Sequence, residues 1–276
     1  MVAVRGIQES LWVMSMDLKQ RKLVKRELLN LQLQEKKLVE DALKAKPLNW
    51  KAALEKKIPE KVYSGLESAF CTGFSLVFKQ GRKLIELTYK KEDLQRSHAL
   101  RDWKVKTAAS RSDLNQMKKS AVKSDALNMA ATTAEGVALG ALGVGLPDVV
   151  LFLTTLLKGI YEAAIHYGFE YESRQEQYLI LRMMEASLKT GRDWVRCNEK
   201  VDELLAVDAI AVEEEVYEAQ LKKTASAFAV DMLLLKFIQG TPIIGILGGA
   251  ANPVYYNKVM KYVQMKYRKR YLLKQL

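Results

Sequence analysis

Within residues 7–46, Leu23, Leu28, Leu31, Leu38 and Leu43 fall at roughly helical spacing in a highly charged background. The stripe is thin, which predicts a long helix that packs on one side only and ends before Pro47. Pro59 opens a second helix in which Phe70, Phe74 and Phe78 recur every four residues and share a face. Gly65, Gly73 and Gly81 recur there every eight, and their cost to a helix predicts that a neighbouring helix approaches closely. Residues 94–119 read as one polar helix with Trp103 and Leu114 turned inward, followed by an alanine-rich segment from Ser124 to Leu142. Asp148 then opens an apolar helix that Gly168 closes. A pair follows, Arg174 to Thr190 and the stretch beyond Gly191, and a further helix runs from near Ala211 to near Gly240. The last, from Asn252 and Pro253 onward, carries Tyr255, Val259, Tyr262 and Met265 with lysines and arginines between them, as interfacial helices do.

Two windows stand out against a chain that is 28% charged: Gly136 to Leu157, whose one charge is Asp148, and Phe237 to Asn257, which has none. Each is about long enough to span a bilayer but is broken by proline, at Pro147 and at Pro253. Both predict glycine-rich helical hairpins, turning at Gly140, Gly143 and Gly145 and at Gly240, Gly245 and Gly249, either buried or dipping into lipid. The predicted fold is an all-α multi-helix bundle, with residues 1–46 as a charged helical arm and residues 47–276 as a helical domain. Scarce proline and frequent Leu, Lys, Glu and Ala agree with it.

Charge adds a partner class. The formal net charge is +12, concentrated near Lys19 to Arg26 and in the last helix, with an acidic block from Asp202 to Glu218 between them. The basic ends flank the apolar windows, which favours an anionic membrane surface over nucleic acid, for which no binding module is present. Lys258, Lys261, Lys266, Arg268, Lys269 and Arg270 are the expected membrane contacts. The N-terminus has no apolar core or cleavage site of a secretory signal, and two isolated cysteines suit a reducing compartment. The expected location is cytoplasmic, at the inner face of the membrane.

Chemistry is sparse. The run GALGVG follows an alanine-rich helix and lacks both phosphate-loop spacings, so nucleotide binding is disfavoured. Two histidines and two cysteines make a dedicated zinc site unfavourable, and no cofactor or metal is expected. No nucleophile elbow or metalloprotease helix occurs, and an enzyme is the less favoured class. Asp148, inside an apolar window, is first a helix cap and second a pocket residue. Asp231 and Lys236 are its expected charged neighbours, with Tyr167, Asn252 and Tyr255 as further pocket candidates.

Three segments carry a resemblance: IPEKVYSGLESAFCTGFSLVFKQGRKLIE, AEGVALGALGVGLPDVVLFLTTLLKGIYEAAIHYGFEYE and LLLKFIQGTPIIGILGGAANPVYYNKVMKYVQMKYRKRYL. In this order they resemble the signatures of the bacterial EcsC family, from about Trp50 onward. The recurrent positions of that family fall on Gly140, Gly143, Asp148, Tyr167, Gly168, Gly240, Pro242, Gly245, Gly249, Asn252 and Tyr255. The family is named for a gene beside an ABC-transporter pair, so the resemblance implies an association with membranes and no particular reaction. The function expected is a non-enzymatic, peripherally membrane-associated accessory or scaffold, linked to transport or secretion. The alternative is a soluble helical enzyme or ligand-binding protein with a pocket near Asp148.

Overall fold

A computed structural model describes residues 2–44, 58–81, 85–86, 89–108, 110–131, 147–207, 211–239 and 251–276. Among the described residues the chain forms nine α-helices and no strand, an all-α bundle. They are α1 (Val2–Lys44), α2 (Glu60–Leu76, continued by a π-helical turn Val77–Gly81), α3 (Lys91–Ala108), α4 (Arg111–Ala131) and α5 (Pro147–His166). Then come α6 (Arg174–Leu188), α7 (Gly191–Leu205), α8 (Glu214–Gln239) and α9 (Ala251–Lys274).

The core lies between α5, α6, α8 and α9, with α2 closing one side and α1 another. The phenylalanine stripe of α2 meets α8 and α5 at one point: Phe70, Phe74 and Phe152 surround Phe228 at centroid distances of 5.4, 6.0 and 5.9 Å. Such pairs add about 0.5–1.5 kcal/mol each beyond their buried area. The recurrent glycines of α2 have unequal roles. A Cβ on Gly73 would stand 2.9 Å from Leu153 Cδ1 of α5, whereas Gly65 has no other group within 4 Å. Gly73 thus marks a close approach and Gly65 does not, and the surroundings of Gly81 lie outside the described residues.

Helix ends follow local chemistry. Gly168 takes φ +79°, and the Phe169 amide donates to Ala164 O at 2.9 Å, an αL glycine stop that ends α5 as the sequence predicts. The Ser173 hydroxyl accepts from the Glu176 amide at 3.1 Å and caps α6. The Glu176 carboxylate, three residues into the helix, is turned to α9 instead of back onto Ser173.

Several expectations need correction. The polar segment 94–119 divides into α3 and α4 around Ser110, whose hydroxyl accepts from the Ser112 amide at 3.1 Å and competes with helix continuation. Leu114 is buried, but Trp103 is 61% exposed. On α1 the buried stripe is Val24, Leu28 and Leu31, while Leu38 and Leu43 face solvent. The apolar window from Val149 to His166 is a helix long and apolar enough to cross a membrane, and 78% of it is buried against the rest of the protein. Both predicted hairpin turns, with Gly140, Gly143 and Gly145 and with Gly240, Gly245 and Gly249, lie outside the described residues.

Candidate functional site

The largest concentration of polar chemistry runs along α9. Its sequence reads as an amphipathic basic helix, yet Tyr255, Tyr256, Val259, Met260, Tyr262, Val263, Lys266, Tyr267, Arg270, Tyr271 and Leu272 are all buried. Only a narrow edge with Val254, Asn257, Lys261 and Lys274 is exposed. Sealed this way, α9 must satisfy each buried charge with a partner, because an unpaired buried ion costs several kcal/mol.

It does so one turn at a time. Near its start, the Tyr255 hydroxyl donates to Asp231 O at 2.8 Å and Lys258 Nζ donates to Asp231 Oδ2 at 3.2 Å. Lys258 also reaches Leu188 O at 3.5 Å, where a cation favours the carbonyl end of α6. In the middle, the Tyr262 hydroxyl donates to Asn198 Oδ1 at 2.9 Å. One turn on, Lys266 and Lys269 each bind both Glu35 of α1 and Asp202 of α7, with Lys266 to Asp202 at 2.6 Å and Lys269 to Asp202 at 2.9 Å. Two ammonium groups and two carboxylates balance there. Burial works against the charge of Lys269, and the hydrogen bonds to Glu35 and Asp202 outweigh it, holding its ammonium above the ordinary lysine range.

The far end carries arginines. Arg268 pairs with Glu27 of α1 at 2.8 Å, and Arg111 of α4 takes the other oxygen of Glu27 at 3.0 Å. Arg270 grips both oxygens of Glu176 at 2.9 and 2.7 Å, while the Tyr267 hydroxyl adds 2.8 Å to the first. Its guanidinium lies 4.2 Å from the Phe169 ring centre. The Tyr271 hydroxyl donates to Asp102 of α3 at 2.8 Å. This polar spine ties α1, α3, α4, α6, α7 and α8 to one helix.

Three of the candidate pocket residues are placed and three are not. Asp231 and Tyr255 meet as described, with Lys258 as the lysine beside Asp231. The Tyr255 hydroxyl is pushed above the ordinary tyrosine range by burial, then by Asp231. Tyr167 belongs to another neighbourhood, 6.2 Å from Tyr271 by ring centres. The side chains of Asp148, Lys236 and Asn252 lie outside the described residues. Of the expected membrane contacts, Lys266, Arg268, Lys269 and Arg270 are ion-paired inside the protein, Lys258 bridges to Asp231, and Lys261 alone of the six is exposed. The expectation of α9 as a free basic surface does not hold for five of these six bases, which point at acids of α1, α6, α7 and α8.

Two further arrangements hold titratable groups. Tyr89 donates to the Tyr171 hydroxyl at 2.7 Å, and Tyr171 donates to Glu86 at 2.9 Å, with Tyr161 stacked on Tyr171 at 4.2 Å. His166, at the end of α5, is 4% exposed, and neither ring nitrogen has a hydrogen-bond partner among the described residues. Burial, with Arg101 and His98 nearby, pushes it down to about 4, so the imidazole is neutral at pH 7. On the surface, a groove of about 660 Å³ between α2 and α8 is lined by Cys71, Ser75, Lys79, Glu218 and Lys222. Burial pushes the Cys71 and Cys197 thiols up, away from thiolate chemistry. Among the described residues no three His, Cys, Asp or Glu side chains group as metal ligands.

The described site is therefore a set of internal links, with no nucleophile paired to a base. Against known families, the EcsC protein family matches residues 22–272. The chain belongs to the EcsC protein family. No curated protein and no solved structure matches it. The EcsC match starts within α1, so the family region takes in the part of α1 that carries Glu27 and Glu35 and crosses the boundary expected at residues 46 and 47.

The residues that sequence reading missed are Glu27, Glu35, Asn198 and Glu176. A signal for two of them exists. Glu27 and Glu35 lie eight apart with Leu31 midway, on the same face as the buried leucines of α1. An acid on an apolar stripe predicts a buried base opposite.

Proposed function

We propose that this EcsC-family chain is a non-enzymatic, peripherally membrane-associated accessory protein at the cytoplasmic face, serving a membrane process such as transport or secretion. The observation that carries this reading is how charge is distributed. The inward-facing bases of α9 are matched by Glu27, Glu35, Glu176, Asp202 and Asp231, so the formal excess of +12 is expressed mainly by exposed side chains. An outward cationic excess of this size draws the protein to anionic surfaces. Burial of the apolar helix α5 inside the bundle supports attachment at the periphery over spanning by that helix.

The test is flotation of the purified protein with phosphatidylcholine vesicles and with vesicles half phosphatidylglycerol, at low and high salt. Binding to anionic vesicles that salt reverses is expected for electrostatic attachment. Salt-resistant flotation assigns the contact to the glycine-rich segments around Gly140 and Gly245. Absence of binding to either vesicle refutes the reading.

A further inference from the structure

The corrected orientation of α9 raises the question of which surface would meet the membrane. Between residues 18 and 39 of α1 the sequence holds seven bases, Lys19, Arg21, Lys22, Lys25, Arg26, Lys36 and Lys37, and two acids, Glu27 and Glu35. Both acids are buried, 4% and 5% exposed, and bound to bases of α9 and α4. All seven bases are exposed. The helix thus sorts its charges by side, acids inward and bases outward.

The outward side also carries apolar groups. Leu18, Lys22, Lys25, Leu29, Leu33 and Lys36 follow one another at steps of three or four and form a single ridge, about 27 Å long. Leu18, Leu29 and Leu33 are 51, 55 and 57% exposed, among the most exposed large apolar side chains of the described residues. The first exposed acids beyond the ridge are Glu40 and Asp41, and Glu40 lies 4.0 Å from Lys44. Leucines in line with lysines, flanked by Lys19, Arg26 and Lys37, suit one kind of partner. Lysine stems lie along an interface while their ammonium groups reach phosphates, and the leucines enter the boundary between headgroup and acyl chain.

We infer that the outer ridge of α1, and not α9, is the surface that binds an anionic lipid bilayer. The inference rests on the peripheral-membrane reading above and gives it a location. Glu27 and Glu35 have a second consequence in this arrangement. By fixing the inner side to α9 they hold the ridge outward and rigid, so binding needs no folding of the helix.

The experiment compares vesicle binding of the full chain with two variants: Lys22→Glu/Lys25→Glu/Lys36→Glu, which reverses the ridge charge, and Leu29→Ser/Leu33→Ser, which keeps the charge and removes apolar groups. A third variant, Lys261→Glu/Lys274→Glu, reverses the exposed edge of α9. On vesicles half phosphatidylglycerol, the charge reversal should weaken partitioning by at least ~100-fold and the serine pair by about tenfold. The α9 variant should stay within about threefold of the parent. All changed side chains are solvent-exposed, and far-ultraviolet circular dichroism checks that the helices persist. If the parent binds and the ridge reversal binds equally well, the ridge assignment is overturned while the peripheral reading stands. Failure of the parent to bind overturns both. A parent that sediments as a dimer and becomes monomeric in the serine pair, with vesicle binding unchanged, also overturns the assignment, because the leucines then meet a second copy.

Discussion

Helices α1 and α9 are the two most basic helices among the described residues, and they use the same residue types in opposite ways. In α9, Lys266 and Arg270 sit on the tyrosine face, 0 and 8% exposed, each held by carboxylates from other helices. Between residues 18 and 39 of α1 the lysines stand away from the body and the acids turn in. Both segments are rich in bases, and what decides where each base goes is the register of charge against the apolar stripe. A base in phase with the buried stripe belongs to the interior, and a base out of phase belongs to solvent or to a partner.

The strongest way to break this comparison is to leave one partner of a buried group alone. Lys266→Met should cost about 3 kcal/mol in urea unfolding, since Glu35 and Asp202 would then share only Lys269. The double variant Lys266→Met/Glu35→Leu keeps one base facing one acid and should recover much of that loss. A single variant within 1 kcal/mol of the parent would mean that α9 is far wetter than its burial implies.

A buried titratable group with no hydrogen-bond partner among the described residues should behave differently from the paired charges. His166 is pushed down to about 4 in the fold from an ordinary value near 6.5, so the unfolded chain binds more protons between those values. Its contribution is fully present above about pH 6.5 and is lost as pH falls towards 4, on the order of 3 kcal/mol in total. His166→Leu should flatten the stability profile across that window. An unchanged slope would show that the acid loss comes from carboxylates such as Glu176 and Asp202 instead.

The inner side of α9 is also close-packed, and small additions test that. A Cβ on Gly159 of α5 would stand 2.4 Å from the Tyr256 hydroxyl and 3.1 Å from its Cζ. Gly159→Ala should therefore destabilise by about 1–2 kcal/mol in spite of the helix propensity gained. Gly65→Ala, with no other group within 4 Å, should stabilise by roughly 0.5–1 kcal/mol. Equal shifts at the two sites would refute the distinction drawn between them.

How far the sequence carries can be judged from particular elements. Helix starts and stops were legible where a local signal decides them: Pro59 before α2, Gly168 after α5 and Pro253 in the first turn of α9. The phenylalanine stripe of α2 was legible because periodicity of four states a face outright. The break near Ser110 was not, since serine and arginine continue a helix as readily as they interrupt it. Orientation of the polar spine was hidden for a different reason. The partners of Lys266 lie at Glu35 and Asp202, far away in the chain, and no local pattern links them. Asp231 and Tyr255 were singled out as pocket candidates, but their meeting with each other and with Lys258 was not legible, because the sequence reading assigned Lys258 to the membrane surface.

The smallest stability effect is expected on the outer ridge of α1, and its smallness is the point. Lys22, Lys25 and Lys36 are exposed, and no ion pair joins them to the bundle among the described contacts. Reversing each should change unfolding free energy by no more than about 0.5 kcal/mol, and relief of repulsion among seven outward bases can make the sign favourable. The same three reversals together are the ones expected to weaken attachment to anionic vesicles by at least ~100-fold. A residue that matters to stability and a residue that matters to a partner are thereby separated on one helix: Glu35→Gln should unfold the protein more easily, and Lys25→Glu should leave it folded but more weakly attached. If thermal unfolding shows that the ridge reversals destabilise as much as Lys266→Met, the ridge is packed against the protein in solution. The contrast between α1 and α9 would then collapse.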